Sequence, residues 1–219
     1  MRVLTWNLFH GRSLPPAGRS LLHEFARTLA GWDWDIALLQ EVPPWWPPEL
    51  ARAAGATQRT ALTSRNSLLP VRRFIADRWP EVIKSNGGGA NAILVRGAIH
   101  EHRIRRLRLY PERRVMHAVR LDDGIWAANL HATVHDAVKA AQDIERARAT
   151  ALRWAQDAPL VFGGDLNVRR VRVPGFVLAA RSDVDHVLAR GLRRVGDPEV
   201  LDRGTLSDHA PVAAELAPD

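Results

Sequence analysis

The chain has 219 residues, 46% hydrophobic and 25% charged, which excludes a disordered chain and allows a sizeable core in one domain spanning 1–219. It has no cysteine, which excludes a disulfide scaffold, a zinc-thiolate or iron–sulfur site and a cysteine nucleophile; no apolar run approaches the roughly 18 residues of a membrane span. The formal net charge is +7, with lysine only at Lys84 and Lys139; an anionic partner and an arginine-favouring coding bias both account for it.

Arg2 to Asn7 reads as a first strand, entered from Met1 with no signal-peptide pattern, so a cytoplasmic protein is expected. Leu21, Leu22, Phe25 and Leu29 recur at helical spacing and Gly31 stands where that helix would stop. Ile36 to Leu39 is a short buried strand with Gln40 and Glu41 at its tip. Pro43 to Pro48 reads as a rigid loop, whose Trp45 and Trp46 could stack on bases or plug the edge of the core. Val71 to Ile83 is expected to be helical despite Pro80. Asn86-Gly87-Gly88-Gly89 is a flexible turn before a strand from Ala92 to Val95. Residues 103–109 alternate except for one doubled arginine, a strand with a bulge and a basic outer face. Val115 to Leu121 and Ile125 to Leu130 flank Asp122-Asp123-Gly124, a hairpin signal. A long helix from Asp136 to Gln156 follows. Strands from Pro159 to Phe162, Val184 to Leu188 and Pro211 to Leu216 complete the series. Hydrophobic strands interleaved with a few helices predict an α/β or α+β sandwich.

The polar residues fall at the strand ends: Asn7, Glu41, Asn129 with His131, Asp165 with Asn167, and Asp208 with His209. If those strands are neighbours, their tips converge on one rim carrying carboxylates, amides and imidazoles. Hard ligands of this kind suit Mg²⁺ or Mn²⁺. Singly, each has a plain explanation: Asp165-x-Asn167 as a turn, Asn129-x-His131 as a strand end, Asp208-His209 as a helix cap. Their recurrence at strand tips is what points to a site.

The same residues carry a family resemblance. Thr5-Trp6-Asn7, Gln40-Glu41-Val42, Asn91-Ala92-Ile93-Leu94, Asn129-Leu130-His131, Gly163-Gly164-Asp165-Leu166-Asn167, Asp183-Val184-Asp185-His186-Val187 and Ser207-Asp208-His209-Ala210-Pro211-Val212 resemble, in order, the motifs of the endonuclease/exonuclease/phosphatase superfamily. The resemblance implies an α+β fold of two packed β-sheets flanked by helices, a four-layer α/β/β/α sandwich. It also implies a divalent-metal phosphoesterase site on one rim. Glu41 would be the main ligand of Mg²⁺ (or Mn²⁺), with Asn7 and Asp208 beside it. Asp165 would orient or deprotonate the attacking water and Asn167 would fix water or phosphate. His209, held by Asp185, would donate to a phosphate oxygen, and His131 would be a second donor or general acid. Asn129, Asn91 and one of Arg113 and Arg114 would bind substrate; Arg114 is better spaced to the strand and could clamp phosphate bidentately.

Abasic-site repair members typically carry Tyr three residues before the central Asn and lack the His after it. Here Trp126 takes that position and His131 is present. That moves the resemblance toward branches with Asn-x-His, which include deoxyribonuclease I-like nucleases and sphingomyelinase-like phosphodiesterases. The expected function is metal-dependent phosphodiester hydrolysis on nucleic acid, DNA first, by a monomeric endonuclease or exonuclease; the charge, the arginine strand and the tryptophan loop favour a polyanion. The alternative is a phosphatase or phosphodiesterase on a lipid headgroup or small phosphorylated molecule. A non-catalytic nucleic-acid-binding module would be expected to lose Glu41, Asp165 or His209, and all three are present.

Overall fold

The computed structural model describes residues 1–64, 66–83, 89–110 and 112–219. Two six-stranded mixed sheets pack face to face. The first has the order β11 (Leu192–Val200), β12 (Val212–Pro218), β1 (Arg2–Asn7), β2 (Ile36–Val42), β4 (Ala90–Val95), β3 (Thr57–Leu62). The second runs β5 (Ile99–Arg108), β6 (Arg114–Leu121), β7 (Trp126–His131), β8 (Leu160–Asp165), β10 (Asp185–Arg190), β9 (Val177–Ser182). Alternation along the strands sorts the side chains. Val3, Ile36, Leu38 and Ile93 point between the sheets, where they meet Val119, Ala127, Val161 and Val187. Their neighbours Leu4, Trp6 and Leu39 point outward against Phe25 and Leu29 of α1 (Leu22–Gly31) and Leu50 of α2 (Pro47–Ala54). On the far side, Met116, Ala128, Leu130 and Phe162 pack on Ala140, Ile144, Ala147 and Ala151 of α4 (Ala137–Ala155). The result is the expected α+β sandwich of two sheets flanked by helices. Central strands buried on both faces read as unbroken apolar runs, which is why they stand out in the sequence.

The first strand, the α1 helix, the strand ending in Glu41 and the hairpin around Asp122-Asp123-Gly124 lie where the sequence puts them. Asp136 caps α4 by accepting from the Lys139 amide at 3.0 Å, as an N-cap aspartate does. Other expectations change. The helix expected over 71–83 is α3, Leu69–Arg78. It starts two residues earlier, with Pro70 in its first turn, and stops before Trp79, whose φ of −139° and ψ of 71° are non-helical, because a residue preceding proline is pushed out of the helical region. The proline loop is shorter than expected, since α2 begins at Pro47, where a missing N–H costs nothing. Trp46 is the plug and not an exposed stacker: it is 1% exposed and packs on Phe25 at a centroid distance of 5.5 Å. The expected bulge in β5 is present, as a register shift between Arg106 and Arg108. The glycine turn expected at 86–89 lies outside the described residues except for Gly89.

Glycine is indispensable where β8 meets β7. Gly164 has φ of +127°, and a Cβ there would stand 2.0 Å from the Leu130 carbonyl oxygen. A Gly164→Ala change should therefore destabilise the fold by roughly 3 kcal/mol or more, lowering the melting temperature by about 6–12 °C. Gly31→Ala, whose new methyl would meet nothing within 4 Å and which needs no positive φ, should leave the melting temperature unchanged or slightly raised. Equal melting temperatures for the two variants would show that the β7–β8 contact tolerates a side chain.

Candidate active site

Strand direction brings the polar tips together. β1 runs parallel to β2, and β7 parallel to β8, so Asn7, Glu41, His131 and Asp165 all lie at one end of the sandwich. β6 and β10 run the opposite way, so their first residues, Arg114 and Asp185, arrive at the same end. The loop entering β12 adds Asp208 and His209. Strain collects there too. Of nine non-glycine residues with positive φ among those described, Phe9, His10, Glu41, Asn167 and Ser207 are on this rim; such conformations persist where surrounding contacts hold them and cluster at functional sites.

The two sheets are joined by side-chain amides just beneath the rim. The Asn7 amide donates across the sandwich to Asp165 Oδ2 at 2.9 Å, and its carbonyl accepts from the Phe9 N–H at 2.9 Å. Gln40 donates to Asn129 Oδ1 at 2.8 Å, while Asn129 donates to the carbonyls of Leu39 and Ala92, both at 2.9 Å. Asn91 donates to the Val115 carbonyl at 3.2 Å. Asn129 and Asn91 are 0% and 1% exposed. The sequence points to both as substrate-binding residues; the structure places them buried between the sheets, with the Asn129 amide bonded across to the opposite sheet.

Above them sits a cluster of charged and imidazole groups. His131 Nε2 lies 3.5 Å from Asp165 Oδ2 and 3.8 Å from Glu41 Oε1. His10 Nε2 stands 3.0 Å from Glu41 Oε2. His209 Nδ1 bonds Asp185 Oδ2 at 2.7 Å, with its Nε2 3.9 Å from Asp165 Oδ2 and 3.8 Å from Asp208 Oδ1. Asp165 also accepts from the Asn167 N–H at 3.0 Å, and the Asn167 amide donates to the Ala132 carbonyl at 3.1 Å. Arg114 is buried and donates to Glu112 at 2.9 Å. Arg113 also lines the cavity but donates to the carbonyls of Thr63 and Leu62. Of the two arginines, Arg114 is therefore the one whose charge acts on Glu41 and Asp165.

The electrostatics follow from burial. Glu41 is pushed up to about 7, first by loss of solvent and then by the Asp165 charge. Asp165 is raised by burial, against the pull of His209 and the Asn7 bond. His131 is held well below its ordinary value by burial, helped by Arg114. Burial would lower His209, but the Asp185 hydrogen bond and the charges of Asp185, Asp165 and Asp208 outweigh it and lift the imidazole to about 9.

Two buried carboxyl groups whose ionised forms repel, beside a neutral imidazole and with no sulfur in reach, make a donor set that suits a hard divalent cation. Glu41 and Asp165 could hold it, with Asp208 near. Asp165, Asp185 and His209 also offer ligand atoms within 4.8 Å of one another. Asn7 is placed on Asp165 and the Phe9 turn more than on Glu41. A bound metal would withdraw charge from a phosphoryl oxygen.

Five cavity-lining residues, His10, Thr63, Ser64, Gly89 and Glu112, go beyond the site residues of the sequence reading. A cavity of about 30 Å³ is bounded by His10, Glu41, His131 and Arg114, and also by Thr63, Ser64, Gly89, Glu112 and Arg113. His10 sits in the tight turn directly after the Asn7 strand tip, a position whose polar side chain could have flagged it. Thr63 and Ser64 follow an edge strand and carry no such signal.

The sequence profile of the Endonuclease/Exonuclease/phosphatase family matches residues 4–209, and the chain belongs to that family, whose members are hydrolytic phosphoesterases and generally divalent-metal dependent. Among curated proteins no sequence matches. Among solved structures, a Bacteroides thetaiotaomicron mannosyl-6-phosphatase superposes with a TM-score of 0.74 at 15% identity, covering 99% of each chain. Truncated TDP2 from Caenorhabditis elegans gives 0.70 at 18% identity, covering 97% of this chain and 96% of that one. An endonuclease/exonuclease/phosphatase from Beutenbergia cavernae gives 0.70 at 19%, covering 100% and 71%. At such identities the likeness is one of fold.

Glu41→Gln keeps the shape of the side chain and removes its charge. It should weaken Mn²⁺ binding at least about tenfold and depress turnover further; unchanged metal affinity by titration calorimetry would remove Glu41 from the ligand set. Asp185→Asn and His209→Asn should each slow the chemical step, and the double variant should cost little more than His209→Asn alone, because both changes misplace one donor. Additive losses across that cycle would show two independent roles.

Proposed function

We propose that this chain is a divalent-metal-dependent hydrolase of headgroup-sized phosphoesters. Glu41 and Asp165 hold the cation. Asp165 orients the attacking water, together with Asn167. His209, kept protonated and oriented by Asp185, donates to a phosphate oxygen. His131, neutral at ordinary pH, accepts a hydrogen bond or relays a proton. Arg114 pairs with a phosphate oxygen from the opposite wall.

The observation that carries the choice of substrate is the make-up of the site's mouth. A duplex-binding protein typically neutralises about six to ten phosphates. On β5, Arg103 is paired with Glu101 at 2.5 Å and lies over Trp126 at 5.1 Å, and Arg108 is paired with the buried Asp143 at 3.0 Å. With Arg113 bound to carbonyls and Trp46 buried, the strand and loop that suggested a polyanion offer only Arg105 and Arg106. The cavity itself is lined by polar and charged groups, and the chain that leads to its lining residues carries exposed Leu62, Leu68 and Leu109. Cleavage of a nucleic-acid backbone, DNA first, is the second reading. It is favoured by exposed Arg105 and Arg106 and by the net charge of +7.

The test is turnover by purified protein with Mg²⁺ or Mn²⁺, with and without chelator, on a sugar phosphate, a glycerophosphodiester, bis-p-nitrophenyl phosphate, plasmid and single-stranded DNA. Metal-dependent hydrolysis of the small esters, at least about tenfold faster per bond than of either DNA, is expected. The reverse preference would establish the nuclease reading, and chelator-resistant turnover would remove the metal from the reaction.

A further inference from the structure

Between β3 and β4 the chain makes an excursion that the catalytic chemistry does not use. Its ends are pinned to the site: Asn66 donates to the carbonyls of Thr63 and Gly89 at 3.0 and 2.9 Å, and Arg12 donates to the Ile83 carbonyl at 3.0 Å. Its helix, α3, is apolar on two sides. Ala76 is buried, with Leu69 and Ile75 partly so, on the inner side. Val71 and Phe74, at i and i+3, point to solvent at 54% and 65% exposure. Leu68 before the helix and Trp79 and Val82 after it are more than half exposed as well. Across the cavity, Leu109 and Tyr110 precede Glu112 and Arg113, which line it, and are also exposed. Exposed large apolar side chains thus stand on both chain segments that supply lining residues, after Thr63 and Ser64 and before Glu112 and Arg113, where a protein in water gains nothing by them.

Arginines accompany them. On α3, Arg72 is half-buried and donates to the Ser67 carbonyl at 2.8 Å, Arg73 stands 3.5 Å from Asp77, and the exposed Arg78 lies over the Trp79 ring at 5.7 Å. Asp77 and Glu81 are the acids on the segment, while Arg105 and Arg106 stand on the exposed strand leading to Leu109 and Tyr110. Aliphatic side chains have no role in stacking on bases, which needs flat rings. Aliphatic groups beside Trp, Tyr and Phe, with arginines interspersed, are what a helix lying at a lipid–water interface presents. We propose that residues 66–83 with Leu109 and Tyr110 form a docking lip for a membrane surface bearing anionic headgroups, delivering a lipid phosphoester to the cavity between the two lips. The apolar side chains enter the acyl boundary and the arginines meet the headgroup charges. This deepens, and rests on, the small-phosphoester reading of the site.

The experiment is co-sedimentation of the purified chain with vesicles of phosphatidylcholine alone and of phosphatidylcholine with one-third phosphatidylglycerol, over a salt series. The parent should bind the anionic vesicles and bind the neutral ones far less. Phe74→Ser/Trp79→Ser and, separately, Leu109→Ser/Tyr110→Ser should each lower that binding about tenfold or more, with little change in melting temperature; two variants on different segments guard against one failing to fold. The proposal is overturned if the parent ignores anionic vesicles, or if the serine variants bind them as the parent does. It is equally overturned if the parent dimerises through these residues, or if they bind single-stranded oligonucleotide and not vesicles. Vesicle binding is read without catalysis. A protein that hydrolyses soluble phosphoesters yet ignores vesicles loses only this inference, whereas one that hydrolyses none of them loses the reading of the site.

Discussion

The structure depends on one buried amide. Asn129 sits between the sheets with no solvent contact, accepting from Gln40 and donating to two carbonyls of the opposite sheet. Face-to-face sheets held by apolar contacts alone can slide with little loss, because hydrophobic attraction has no direction. A saturated amide cannot slide: breaking its bonds without water leaves several polar groups unsatisfied, at about 1–3 kcal/mol each. Asn129 therefore sets the offset of the two sheets. That offset brings Asn7 from β1 within 2.9 Å of Asp165 on β8, and so assembles one rim from two separate sheets.

Once the offset is fixed, the site's charge follows from where the tips end. Glu41 and Asp165 are carried on rigid strands into a place with little solvent. Neither can withdraw, and burial raises the cost of ionising both, with the Asp165 charge adding to that of Glu41. The fold tolerates this because both carboxyl groups sit at strand ends, beyond the apolar contacts between the sheets. The compensating groups come from different elements: Arg114 from β6 and His209 from the loop before β12.

The sequence discloses those parts of the fold that are buried on both sides. The cores of β1, β2, β4, β7 and β8 are apolar runs with polar tips, and the tips are the site. What it conceals are the margins. β3, β9 and β11 are edge strands with exposed residues and a weak period; β11 even accommodates Gly196 and Pro198 through a register shift between Val195 and Glu199, as edges can. The roles of Asn129 and Asn91 are concealed differently. A polar residue at a strand tip looks the same whether its side chain faces the rim or the opposite sheet, and only the packing of the sheets decides. The choice between Arg113 and Arg114 also needs the structure, since alternation points one in and the other out but does not say which.

The division between legible rim and illegible margin bears on specificity. Hydrolysis of any phosphoester asks for the same things: a cation, an oriented water and a donor to the phosphate. Those are set by strand tips, and a rim of this kind is indifferent to what the phosphate is attached to. Discrimination must then come from what borders the cavity beyond the strands. Here that border includes Thr63 and Ser64 after β3 and Glu112 and Arg113 before β6. These segments hang from edge strands β3 and β5, where insertions and substitutions disturb no interior packing. The chemistry is thus written in the part of the chain that the core constrains, and the substrate in the part that the core leaves free.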